Sequence, residues 1–188
     1  MRKIILIYFS IISISCKNKN ISEITDKNHI VSDKEIYSFL SSILKNQTKS
    51  ITKCNNDDVL EFVQENKELK SMLTEKDLVY IKKQIGNENK FSINSEYLND
   101  YDVIPEGKLK KMFRENRNLN TFWKEFENEY ETESFFSISL PIFSLNKEIV
   151  IITTEVLHKE GFKARGKQVY RKVNGEWKLY KNFTTSIS

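Results

Sequence analysis

Residues 167–181 read KQVYRKVNGEWKLYK, and their pattern sets the architecture of the last third of the chain. Asn174-Gly175 separates two runs in which apolar and polar residues alternate. A type I′ turn needs positive φ at both central residues, and Asn-Gly supplies it at low steric cost. The stretch therefore reads as a β-hairpin. Val169, Arg171 and Val173 share one face, with Tyr170 on the other, and Trp177 and Leu179 alternate in the partner run.

Upstream lies EIVIITTEVL, residues 148–157. It is rich in β-branched residues and nearly all apolar at its centre. That composition suits a central strand covered on both faces. SFFSISL, residues 134–140, is a further strand, stopped by Pro141, which cannot donate a ladder hydrogen bond. PIFSLNK follows, with a turn at Asn146-Lys147, and the chain turns again over His158 to Gly161. FTTSIS at the end reads as a last edge strand. Residues 134–188 are thus expected to form an antiparallel β-meander.

Before residue 134 the period changes from two to between three and four. Ile36, Phe39, Leu40, Ile43 and Leu44 predict a helix over 33–46. Ser32 and Glu35 have the spacing of a capping box at its start. A second helical stretch starts near Asp57 and Asp58, carries Val59, Leu60, Phe62 and Val63 on its apolar face, and fades near Lys67 to Ser71. A third spans 75–85, between the N-cap Thr74 and Gly86. Residues 87–107 read as loops with one short strand. Asn99, Asp100 and Asp102 lack the spacing of an EF-hand loop and read as a capped turn. In 121–131, TFWKEFENEYE, the residues Phe122, Trp123, Phe126 and Tyr130 form one aromatic stripe. The stripe is expected to dock the helix on the sheet. The fold class is α+β: helices over 32–131, then the meander over 134–188, in one domain.

Hydrophobic residues make up 39% and charged residues 30%, which fits a packed core rather than disorder. The formal charge is +4, of which Arg2 and Lys3 contribute two. Lysines alternate with glutamates and aspartates, and no basic stripe of the kind nucleic acid requires stands out. No zinc-type His/Glu spacing, phosphate-cradling glycine loop or serine elbow is visible, so no catalytic residue, metal ligand or cofactor is assigned.

The amino terminus reads MRKIILIYFSIISISC, residues 1–16. A positive start, an apolar run from Ile4 to Ile14 and a small residue before Cys16 make a secretory signal peptide over 1–15. The apolar run is roughly half of the ~20 residues that span a bilayer. The cysteine at the cut resembles the lipobox of bacterial lipoproteins, with Ser13 where that family prefers Leu. The resemblance implies lipid on the Cys16 sulfur and a place in the bacterial cell envelope, with the outer membrane as the expected destination. An ordinary cleaved signal and an uncleaved anchor are the alternative readings. Residues 17–31, KNKNISEITDKNHIV, read as a polar tether. With Cys16 reserved for lipid, an internal disulfide is not available to Cys54, which reads as a structural thiol in a loop or helix start.

The last third, roughly 119–188, is similar to an uncharacterised group of Bacteroidota-type envelope lipoproteins. The likeness rests on Trp123 and Phe126, on SLPIFS at 139–144, on the EIVIITT run and on VYRKVNGEWKL at 169–179. It implies the fold and the address and no established activity. Members often carry a Cys- and Gly-rich loop where this chain has EVLHKEGFKARGKQ, without cysteine. The expected role is a noncatalytic binding module displayed on the envelope and meeting an envelope protein or ligand. The turn Leu157 to Gly166 is the candidate surface, with His158, Phe162 and Arg165 as binding residues. The alternatives are an inhibitor or immunity lipoprotein against a secreted toxin or lytic enzyme, and an envelope hydrolase.

Overall fold

The computed structural model describes residues 30–56, 58–116, 118–161 and 163–187. The signal peptide over 1–15, Cys16 and all but the end of the tether lie outside them. The tether does not run to residue 31: Val31 is buried in the core. It directly precedes the N-cap Ser32 and lines a small crevice with Ile36, one turn inside the helix. That is a hydrophobic staple, which fixes the angle at which the chain enters.

Helix α1 spans Asp33–Ile43 and starts with the capping box expected at Ser32 and Glu35. Phe39 and Leu40 on its inner face are fully buried. Helices α2 (Val59–Glu65) and α3 (Lys67–Met72) replace the single stretch read from sequence. Asn66 divides them by accepting from the Leu69 amide, which caps the second helix instead of continuing the first. Helix α4 spans Glu75–Ile85 behind Thr74. Helix α5 (Lys108–Asn116) was not legible in a charge-dense segment that buries only Met112, and α6 follows at Leu119–Tyr130.

Seven strands form one mixed sheet among the described residues. They are β1 (Ser50–Lys53), β2 (Asp102–Val103), β3 (Ser134–Ile138), β4 (Ile142–Phe143), β5 (Ile149–His158), β6 (Lys163–Val173) and β7 (Glu176–Ile187). The order is β2-β1-β3-β5-β6-β7, with β4 also on β5. From β3 onward every pairing is antiparallel, as the meander requires. β1 and β2 add a parallel extension at the far edge. β1 had no readable signal: SITK offers one apolar residue, Ile51, which is fully buried. Cys54 therefore follows a strand, and its amide donates to the Ile138 carbonyl at 2.9 Å.

Both faces of the sheet are covered. Phe136 belongs to the core shared with α1 to α4. Its neighbour Phe135 points the other way, into a second cluster of Met112, Phe122, Trp123 and Phe126 from α5 and α6. The aromatic stripe thus docks its helix on the sheet, with Phe126 and Phe135 ring centres 5.5 Å apart.

β3 and β4 are one line along β5, interrupted at Ser139-Leu140-Pro141. Buried side chains replace the missing ladder. Asn56 Nδ2 donates to the Leu140 carbonyl at 2.7 Å, and its Oδ1 accepts from the Ser139 and Thr153 hydroxyls. On the side of β4 away from β5, Gln84 of α4 acts as a substitute strand. It accepts from the Phe143 amide at 2.9 Å and donates to the Phe143 carbonyl at 2.7 Å. Asp77 accepts from the Leu145 amide at 2.7 Å while it closes the capping box with Thr74.

Candidate functional site

Of the residues singled out at the β5–β6 turn, His158 and Arg165 lie on opposite faces of the sheet. Register pairs Glu155 with Arg165 and Leu157 with Lys163 on one face of the sheet. His158 follows Leu157 and so projects to the opposite face. Its Nδ1 accepts from the Glu160 amide at 3.3 Å, a turn-stabilising bond. Across the sheet, Lys163 pairs with Glu155 at 2.8 Å. Phe162 and Cys16 lie outside the described residues.

Surface chemistry concentrates instead at the other end of the same two strands. Residues 163–181 contain seven Lys or Arg and a single acid, Glu176. Even alternation of charge along the whole chain conceals this local excess, which a windowed count would have found. Asn174 and Gly175 have φ of 53° and 85°, the two left-handed positions of the expected turn.

The hairpin is anchored on both faces. Tyr170 and Trp177 each meet Phe39 of α1 edge-to-face, with ring centres 5.3 Å apart. Burial pushes the Tyr170 hydroxyl up to about 12, so it stays protonated. Tyr170 pairs with Leu179 but Val169 pairs with Lys181, so Tyr180 is an extra residue, a β-bulge. The bulge turns Lys181 and Phe183 to the face opposite Trp177. There Phe183 packs on Phe62 of α2 with ring centres 5.0 Å apart. Glu68 of α3 accepts from the Tyr180 hydroxyl at 2.7 Å and pairs with Lys181. The Lys181 and Tyr180 bonds hold the Glu68 carboxyl below its ordinary range.

Beyond these anchors the tip is open. Val173, Leu179 and Tyr180 are 42%, 52% and 41% exposed. The Arg171 guanidinium stands 5.6 Å over the Tyr180 ring and Lys172 Nζ 5.4 Å over Trp177. Arg171, Lys172 and Lys178 form no ion pair with a described residue. Strand alternation puts the paired Arg171 and Lys178 with Val173 on one face of the hairpin and Lys172, beside the half-buried Trp177, on the other, so the tip carries cations on both faces and suits an anion.

Other features offer less. An open depression of about 280 Å³ is lined by Lys45, Gln47, Lys49, Asp100 and Tyr101. Among the described residues no three His, Cys, Asp or Glu side chains gather as metal ligands, and no helix is long and apolar enough to cross a membrane. Comparison with protein-family models, with curated proteins and with solved structures finds no match to this chain.

Proposed function

We propose that this chain is a noncatalytic binding module of the bacterial cell envelope, tied to a membrane by lipid on Cys16. The β6–β7 hairpin is its recognition surface, and its partner is anionic. The observation that carries the binding role is the tip itself. Arg171, Lys172 and Lys178 lack described carboxylate partners and sit beside exposed Val173, Leu179 and Tyr180. Charges kept only for solubility need no such apolar company.

The address rests on the order of charge, apolar run, small residue and cysteine over 1–16. Each buried methylene contributes about 0.8 kcal/mol, so one acyl chain holds marginally and two or three hold stably. Cys16→Ala should leave the precursor unprocessed and unlabelled by a fatty-acid probe. Wild-type protein that carries no lipid ends the anchor reading. For the binding role, full-length Arg171→Glu/Lys178→Glu protein should leave phosphocellulose at clearly lower salt than wild type. Equal elution would remove the hairpin as the recognition surface.

A further inference from the structure

We infer that the anionic partner of the hairpin is the membrane surface that holds the anchor: the β6–β7 tip docks on acidic phospholipid headgroups. The inference rests on the lipid-anchor reading of Cys16 and adds which way the domain faces.

Geometry supports it first. Glu35, in the first turn of α1, pairs with Lys147 in the β4–β5 turn. The Glu148 carbonyl of that turn accepts from the Lys172 amide at 2.8 Å. The chain therefore enters the domain at the end of the sheet where the hairpin tip projects. Ile30, where the described residues begin, is held beside α4 by the Tyr80 hydroxyl. Residues 17–29 lie between it and Cys16. Fully extended, that connection reaches about 50 Å. A domain of this size is about 40 Å across. A lipid on Cys16 thus keeps the domain within about 50 Å of the bilayer, with the connection leaving from the end that carries the tip.

Chemistry supports it second. Phosphate headgroups attract Lys and Arg close to the surface. Arg171, Lys172 and Lys178 supply the charge, opposed within residues 163–181 by Glu176 alone and, from the neighbouring turn, by Glu148 beside Lys172. The nearby cations Lys147 and Lys181 are already matched by Glu35 and Glu68. Leu179 and Val173 are the exposed side chains that suit the interfacial zone, and Tyr180, its hydroxyl held by Glu68, borders them. Lipid and basic patch then act as two signals on one surface.

The test uses the full lipidated chain in phosphatidylcholine vesicles, with and without phosphatidylglycerol. A headgroup spin-labelled lipid quenches Trp177 at the tip, while Trp123 of α6, buried against the sheet, supplies the background. Quenching should rise with phosphatidylglycerol. It should return to the phosphatidylcholine level in Arg171→Gln/Lys172→Gln/Lys178→Gln and in high salt. Affinity of unlipidated full-length chain for the acidic vesicles should drop about fivefold per cation removed. A thermal midpoint equal to wild type shows that the variant is folded. Chain that stays vesicle-bound with quenching indifferent to phosphatidylglycerol overturns the inference and leaves an acidic protein as the occupant. If plain phosphatidylcholine vesicles fail to hold the chain, the anchor reading is lost. The hairpin inference is then decided by flotation with acidic vesicles, kept if the triple variant floats less and overturned if it floats equally.

Discussion

Two margins of one sheet are treated in opposite ways. At β4 the outward backbone groups are sealed. Gln84 takes both polar groups of Phe143, Asp77 takes the Leu145 amide, and Asn56 satisfies Leu140 where Pro141 breaks the ladder. At β7 the outer edge has no neighbouring strand among the described residues, and its tip displays cations and exposed apolar groups. The sealed margin uses polar side chains to avoid buried, unbonded amides, each of which costs about 1–3 kcal/mol. The open margin carries lysines and a bulge, devices that discourage edge-to-edge pairing. Polar residues therefore satisfy buried backbone at one margin and stand displayed at the other, where the proposed recognition surface lies.

The comparison breaks most readily at Asn56. Asn56→Ala leaves the Leu140 carbonyl only the longer bond from the Ser139 hydroxyl, at 3.3 Å, and removes the acceptor for the Ser139 and Thr153 hydroxyls. Urea unfolding should show a loss of about 3 kcal/mol. A loss below about 1 kcal/mol would mean that the interrupted strand is satisfied in some other way.

Asp77 comes next. Burial raises its carboxyl, but bonds from Thr74 and the Leu145 amide outweigh burial and hold it below the ordinary range. A folded-state value below the unfolded one means that the unfolded chain takes up the proton first on acidification. The stability contributed by Asp77 is therefore complete above the ordinary aspartate range. It drains as pH falls through that range toward the depressed folded value. Asp77→Asn should cost about 2 kcal/mol at neutral pH, and the gap to wild type should close in acid. A gap that stays constant with pH would contradict this assignment. Glu35 adds to the same acid sensitivity: burial raises it, while Lys147 and Ser32 lower it further.

The smallest stability effect belongs to the tip. Combined Gln substitutions at Arg171, Lys172 and Lys178 should change unfolding free energy by no more than about 0.5 kcal/mol, as expected of surface positions. A larger loss would place these cations in the folding of the domain and erase the contrast between the two margins.

Much of the fold was legible because local rules carried it. The Ser32 and Thr74 caps, the Asn174-Gly175 turn and the Phe122–Tyr130 stripe each act within a few residues of chain. β1 was not legible, since a four-residue strand with one apolar residue forms only because β3 offers an edge; β2 falls where one short strand was expected in 87–107, but its parallel pairing with β1 was not. The site was read less well. The loop at 157–166 suggested His158 and Arg165 together, yet strand alternation sends them to opposite faces. The cations at 171, 172 and 178 were in plain view, but which cations keep a carboxylate partner is decided by distant helices: Glu68 and Glu35 reach the chain from α3 and α1.

Sequence alone therefore determined the α+β class, the capped starts of α1 and α4, the central strand and the hairpin, because propensity, capping and turn chemistry act over short separations. Tertiary structure alone decided the parallel strands, the sealing of β4 by Gln84 and Asp77, and the bulge that reorients Lys181 and Phe183. It also decided which charges remain without a described partner. Those outcomes depend on residues tens of positions apart meeting at hydrogen-bond distance, and no local pattern encodes such a meeting.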